Sequence, residues 1–304
     1  MRKTLIVGME TLSGRYLSQA FSRSQSVLGV SLSGGQLPRH GDAGPLYPIS
    51  EAAAIEFLKH EEIERVIYCG EASQSSWTPE LKESRFCSDT QVLVMWSRVC
   101  ETCSTSFVFL TADSIFDGPW MFHAEESQSF TETPWAHTVR AQEEIVSYNE
   151  RALIVRSHLL GFAPESLLTT HLFPSATIPF SSEFSVTQHA TPLYAGRFAR
   201  MLEDLLDAEP VGLLHLGGGE RISRTAFLSQ LEDRFGRCVN SPTLGEEKIV
   251  PCRETSLRSS RAKPLLKEGL PGIEDLLDDI AADLESGVAA HFSEVSVDRH
   301  QQVA

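Results

Sequence analysis

The first stretch able to hold a ligand is Gly8-Met9-Glu10-Thr11-Leu12-Ser13-Gly14, directly after the apolar run Thr4–Val7. Glycines spaced this way between a strand and a helix make a tight turn and let the backbone approach a pyrophosphate, with the helix N-terminus facing the anion. The middle position of the Gly-x-x-Gly-x-x-Gly spacing is Thr11, whose side chain intrudes on that approach, and Glu10 adds a negative charge close to where phosphates would sit. The next strand ends in Val30-Ser31-Leu32-Ser33, with no acid for a ribose, and the next basic residue is Arg39. The turn therefore reads either as a weakened phosphate site or as scaffold alone. Acid–base chemistry has few carriers. An imidazole is the usual general acid near neutral pH, so His137 is a candidate, although a histidine at a helix start also serves as a plain solvated side chain. A guanidinium is a poor general acid, but Arg140 can hold a ribose or phosphate oxygen. Cys100 and Cys103 form the one close cysteine pair, with no second pair to complete a zinc site, and read as two small residues on one helix face.

The elements that must position these residues alternate. Thr4–Val7, Ser26–Val30, Arg65–Cys69, Ser106–Leu110 and Ala152–Arg156 read as buried strands, and Arg15–Ser22, Ala52–His60, Thr90–Glu101 and Thr138–Asn149 as helices between them. Continuous apolar strands alternating with helices predict an α/β, doubly wound parallel sheet of Rossmann type covered on both faces. Ser31–Ser50 and Pro164–Thr191 read as mostly irregular. A helix over Tyr194–Asp207, a strand over Gly212–Leu216, a helix capped by Ser223 and running to Phe235, and an acidic helix over Ile273–Glu285 follow, with a polar tail from His291 to Ala304. The domain expectation is a Rossmann unit over 1–160 and a smaller substrate-type lobe over 161–304, with roughly 185–220 returning to the first unit.

At 304 residues the chain can bury a large core. Its net charge of -15 argues against a nucleic-acid binder and against docking on an anionic membrane. Met1–Gly8 is too short in apolar residues for a signal-peptide core, and no apolar run approaches a bilayer span, so the chain is read as cytoplasmic. Six cysteines in a chain this long are not a disulfide framework, and no metal site is expected.

The stretch Thr111-Ala112-Asp113-Ser114-Ile115-Phe116-Asp117-Gly118 resembles the Ser-Thr-Asp-Tyr-Val-Phe-Asp-Gly segment of the dTDP-4-dehydrorhamnose reductase family, among the extended short-chain dehydrogenases/reductases. Further similarities run along nearly the whole chain: Arg65–Ala72, Ala152–Arg156 with Gly161, Gly212–Gly219 with Ser223 and Arg224, and Arg253–Leu257. The resemblance implies NAD or NADP against Gly8, Thr11, Leu12, Gly14, Gly70 and Arg140, and a sugar nucleotide against Asp113 and Phe116. In the family a Thr polarises the sugar ketone, a Tyr donates the proton, and a Lys four residues on lowers the tyrosine pKa. Aligned on Phe116–Gly118 and on Glu144, those positions hold Ala112, Ala136 and Arg140. No lysine lies between Lys82 and Lys248, and none of the five tyrosines has a lysine four residues on.

Two function classes follow from this departure, beside a third reading, a purely structural protein with no ligand. One is a non-catalytic NAD(P)- or sugar-nucleotide-binding or regulatory protein, with a protein partner or a second copy of itself. Its partner surface would be the stripe Leu276, Leu277, Ile280 and Leu284, which equally suits packing on its own lobe. The other is an active reductase or epimerase with relocated groups, Thr111 or His137. Thr111, one residue early, would face the opposite side of its strand.

Overall fold

The run Leu5-Ile6-Val7 lies at the centre of the molecule, because a strand buried on both faces needs apolar, β-favouring side chains along its whole length. The structure, a computed structural model, describes residues 3–32, 50–78, 86–164, 166–173, 187–236 and 252–287. Strand β1 (Lys3–Val7) has β2 (Ser26–Val30) on one side. On its other side follow β3 (Arg65–Tyr68), β4 (Ser106–Ala112), β5 (Ala152–Ser157) and, outermost, β9 (Gly212–His215). Every pairing is parallel, and the registers Val7↔Tyr68, Tyr68↔Phe109 and Phe109↔Ile154 bring the C-terminal ends of the strands to one edge.

Alternation along the strands sends side chains to two cores. Leu5, Val7, Val66, Tyr68, Phe107 and Phe109 pack against α2 (Glu51–His60), α3 (Phe86–Cys103) and α4 (Pro134–Ser147). Ile6, Ile67, Val108 and Leu110 pack against α1 (Leu12–Phe21) and α6 (Ala195–Asp207). Helices on both faces of a parallel sheet make the doubly wound α/β architecture expected above. The chain leaves β1 toward β2 and later toward β3, so the sheet reverses between β1 and β3, where ligands of such folds bind.

Two smaller sheets lie beside the main one. β6 (Leu159–Leu160) pairs with β8 (Leu193–Tyr194), and β7 (Thr187–Ala190) lies between β10 (Ile222–Ser223) and β11 (Cys252–Glu254). A third core joins α5 (Leu167–Leu172), α7 (Arg224–Phe235) and α8 (Ile273–Glu285). Leu276, Leu277 and Ile280 of α8 are buried there, packed within the chain itself. Within Pro164–Thr191, expected to be mostly irregular, the described residues include α5 and β7, and 165 and 174–186 lie outside the described residues. Ser166 Oγ caps α5 by accepting from Thr169 N (3.3 Å), and β7 completes a sheet whose partners lie far along the chain. Helix α4 starts earlier than its periodicity suggested, with Thr133 as cap and Pro134 in the first turn. Most of Ser31–Ser50 and the tail from His291 lie outside the described residues.

Among the described residues, no strand pairs with β9 on its far side. Glu125 Oε1 accepts from His215 N (3.0 Å), and Arg261 Nη1 donates to Leu213 O (2.6 Å), so two long side chains engage that edge. Among the described residues no helix is long and apolar enough to cross a membrane. None of their His, Cys, Asp and Glu side chains gather into a group fit to hold a metal ion.

Candidate functional site

The glycine turn keeps its shape for reasons internal to the chain. Gly8 has φ +91°, and a Cβ on it would stand 2.1 Å from Cys69 O, so no other residue fits. A Cβ on Gly14 would stand 2.1 Å from Gly8 O. Thr11 is the N-cap of α1: its Oγ1 accepts from Gly14 N (3.1 Å) and donates to Gly8 O (2.8 Å). Leu12 opens the helix and is half-buried against two of the cores. Ser13 Oγ lies 3.1 Å from Ser73 Oγ, tying the first turn of α1 to the turn after β3 across the point where the sheet reverses. Gly70 heads that second turn, packed so that a Cβ would meet the Asp89 carboxylate at 2.8 Å. Burial pushes the Asp89 carboxyl up despite its bonds from the Tyr68 hydroxyl and Glu71 N. Glu10 reaches to the end of β2, where its Oε1 accepts from Ser31 Oγ (2.9 Å) and Leu32 N (2.7 Å).

At the far wall, β4 meets α4. Ala112 and Ala136 are both fully buried. Thr111 faces the α4 side, as strand alternation requires, and its hydroxyl donates to Glu143 Oε1 (2.8 Å). Glu143 also takes Arg156 Nε (2.9 Å) and Nη2 (2.7 Å), a bidentate pair closed off from solvent. The inward carboxylate of α4 is thus Glu143, while Glu144 is exposed. Aligned on Glu143, the family's Lys and Tyr positions become Val139 and Trp135, which transfer protons no better than Arg140 and Ala136. Trp135 Nε1 donates to Ser114 Oγ (2.8 Å).

Arg140 and His137 come together in another place. With Phe130, Glu144, Ile154 and Leu213 they line a groove of about 850 Å³ beside β5 and β9, and no residue of the glycine turn takes part. The Arg140 guanidinium lies over the Phe130 ring, 4.0 Å from its centroid. His137 Nε2 is 3.2 Å from the exposed Glu132 carboxylate.

Asp113 and Phe116 are fully buried. Phe116 is stacked between His123 (centroids 4.3 Å apart) and Phe130 (5.5 Å). Asp113 accepts from Ser76 N (2.9 Å), Ser76 Oγ (2.8 Å) and the Thr255 hydroxyl, and lies 2.7 Å from His158 Nδ1. Burial raises the Asp113 carboxyl, but His158 and these bonds outweigh it and hold it below its ordinary value. Trp77 packs edge-on to His158 and against Phe227 of α7, so this cluster links the end of the sheet to α7. A second seam joins Tyr16 of α1, Tyr194 and Asp283 of α8: the phenol oxygens are 2.9 Å apart, and both bond Asp283 Oδ2.

No protein-family model matches the chain, and no curated protein matches it by sequence. Solved structures match over almost its whole length. A dTDP-4-dehydrorhamnose reductase from Bacillus anthracis, in complex with NADP, superposes with a TM-score of 0.72 at 12% identity, covering 93% of this chain and 100% of the other. A hypothetical dTDP-4-dehydrorhamnose reductase from Sulfolobus tokodaii gives 0.66 at 18%, covering 90% and 97%. A UDP-glucuronic acid 4-epimerase from Bacillus cereus, in complex with UDP-glucuronic acid and NAD, gives 0.68 at 18%, covering 91% and 96%. The chain has the dTDP-4-dehydrorhamnose reductase fold.

Within the dTDP-4-dehydrorhamnose reductase fold the residues present do not fit NAD(P) in the usual manner. The donors at the end of β2 are already taken by Glu10, whose charge stands in the same turn as the α1 N-terminus. No lysine or tyrosine stands at the α4 corner to hold a nicotinamide ribose. Sequence reasoning missed Ser76, Trp77, His158, Thr255 and the Glu143–Arg156 pair. The usable signal was the polar triplet Arg156-Ser157-His158 closing an otherwise apolar strand, since polar groups carried into a core must find partners there.

Proposed function

We propose that this chain is a non-catalytic protein of nucleotide-sugar metabolism, a sugar-nucleotide-binding or regulatory protein that keeps the reductase fold without hydride transfer. One observation supports the reading: Ala112 and Ala136 are fully buried, and the family alignment puts the ketone-polarising hydroxyl at Ala112 and the proton donor at Ala136, or at Trp135 when it is anchored on Glu143. Neither methyl exchanges a proton, and a positioned acid alone is worth roughly 100- to 10,000-fold in rate. The two relocated candidates offer no substitute. Thr111 is buried and committed to Glu143, and His137 stands on the outer surface beside Glu132.

The test is to mix the purified protein with NADH or NADPH and keto-sugar nucleotides and follow the reduced nicotinamide, alongside melting curves with dTDP- and UDP-sugars. No oxidation above background is expected, with an upward melting shift for a sugar nucleotide that binds. Enzyme-dependent hydride transfer to the sugar would overturn the reading.

A further inference from the structure

In dinucleotide-binding folds the end of the second strand supplies an acid that bonds the adenosine ribose. Val30-Ser31-Leu32 supplies none, yet a carboxylate is there. Glu10 comes from the turn after β1, 21 residues from Ser31 and 22 from Leu32, and accepts from both the Ser31 hydroxyl and the Leu32 amide. Met9 is laid over the same strand: its sulfur lies 1.2 Å from where a Cβ on Gly29 would be, so that glycine makes room for the crossing. At the other end of the turn Thr11 takes Gly14 N, and Ser13 is bridged to Ser73.

We propose that Glu10 is a specificity-determining residue that closes the adenosine end of the crevice to dinucleotides. The turn fills with its own side chains the contacts that a ligand would make. A ribose must displace a carboxylate held by two donors, one of them a charge-assisted backbone bond of 2.7 Å. A pyrophosphate at the start of α1 must also approach the same carboxylate, and juxtaposed like charges penalise binding strongly. The glycines that survive in this turn are explained by the packing of Gly8 on Cys69 and of Gly14 on Gly8, without any ligand.

The inference deepens the reading of a chain without hydride transfer, and its test is separate from turnover. The full chain is titrated calorimetrically with ADP-ribose, which carries adenosine and pyrophosphate but no nicotinamide. The wild type is expected to bind feebly. The Glu10→Ala, Thr11→Gly double variant is expected to bind with a dissociation constant lower by about tenfold or more, as a relieved like-charge contact implies. Glu10→Gln, which keeps an acceptor for Leu32 N and loses the charge, is expected to gain less, and it serves as the measured variant if the double variant melts early. Wild type binding as tightly as the variants, or folded variants that gain nothing, would overturn the proposal. Hydride transfer by the wild type would instead sink the non-catalytic reading, whatever the variants bind.

Discussion

At the turn between β1 and α1 the chain carries polar groups that a dinucleotide site does without, Glu10 and Thr11. At the corner of β4 and α4 it carries buried alanines, Ala112 and Ala136, where the family resemblance leads one to expect polar groups. The first region has kept its backbone and satisfied its own donors. The second has filled its space with methyl groups and placed its charge one layer deeper, in the Thr111–Glu143–Arg156 cluster. Surplus polar groups can be trimmed without disturbing a core, whereas missing ones cannot be restored without making room.

The largest expected effects come from the buried charges that hold the corner. Asp113→Ala leaves His158 with no carboxylate in a site shut off from water, and Glu143→Ala does the same to Arg156. Each should lower stability by about 3–5 kcal/mol in urea denaturation, the usual result of removing one partner of a buried pair. A drop under about 1 kcal/mol would mean that this region is wetter than described.

Reversal of the two losses should differ in cost. Ala136→Tyr forces a ring into a closed core and should cost about 1–3 kcal/mol or more without restoring turnover. Thr11→Gly, in the turn, should cost only a few tenths of a kcal/mol, because glycine is tolerated at an N-cap. Melting curves of the two single variants decide this, and equal costs would break the contrast.

Acid should act through the same corner. His215 bonds His123 O and Arg156, and burial followed by the Arg156 charge lowers its pKa from 6.5 to about 3. The unfolded chain therefore takes up a proton that the folded chain refuses. Stability should fall as pH drops from about 6.5 toward about 3, and His215→Gln should flatten that slope. Asp113, held below its ordinary value, adds a loss in the same direction below the usual carboxylate range. A modest effect is expected of Arg140→Ala, about 0.5–1 kcal/mol for the lost contact with Phe130.

The sheet was legible because its strands are short unbroken runs of Val, Ile, Leu and Phe, and their alternation with helical periodicity leaves few arrangements. α5 and β7 were not, since one is held by a single cap and the other by partners distant in sequence. The bare end of β2 could be read directly, but not that Glu10 fills it, because that contact depends on how the turn folds over the strand. The choice between Glu143 and Glu144 turned on helix phase: Glu143 shares the buried face with Val139 and Val146, and one residue of slip moves the aligned proton donor from Ala136 to Trp135.

The outer edge of β9 has a bearing on how copies of the chain behave together. An open strand edge is a template on which another chain can add, and here Glu125 and Arg261 already engage it. Sheet growth from that side is blocked by two side chains of opposite charge, so the molecule carries its own guard against edge-to-edge aggregation. Removing both charges should show first as cloudiness in concentrated solution, well before any change in the melting temperature.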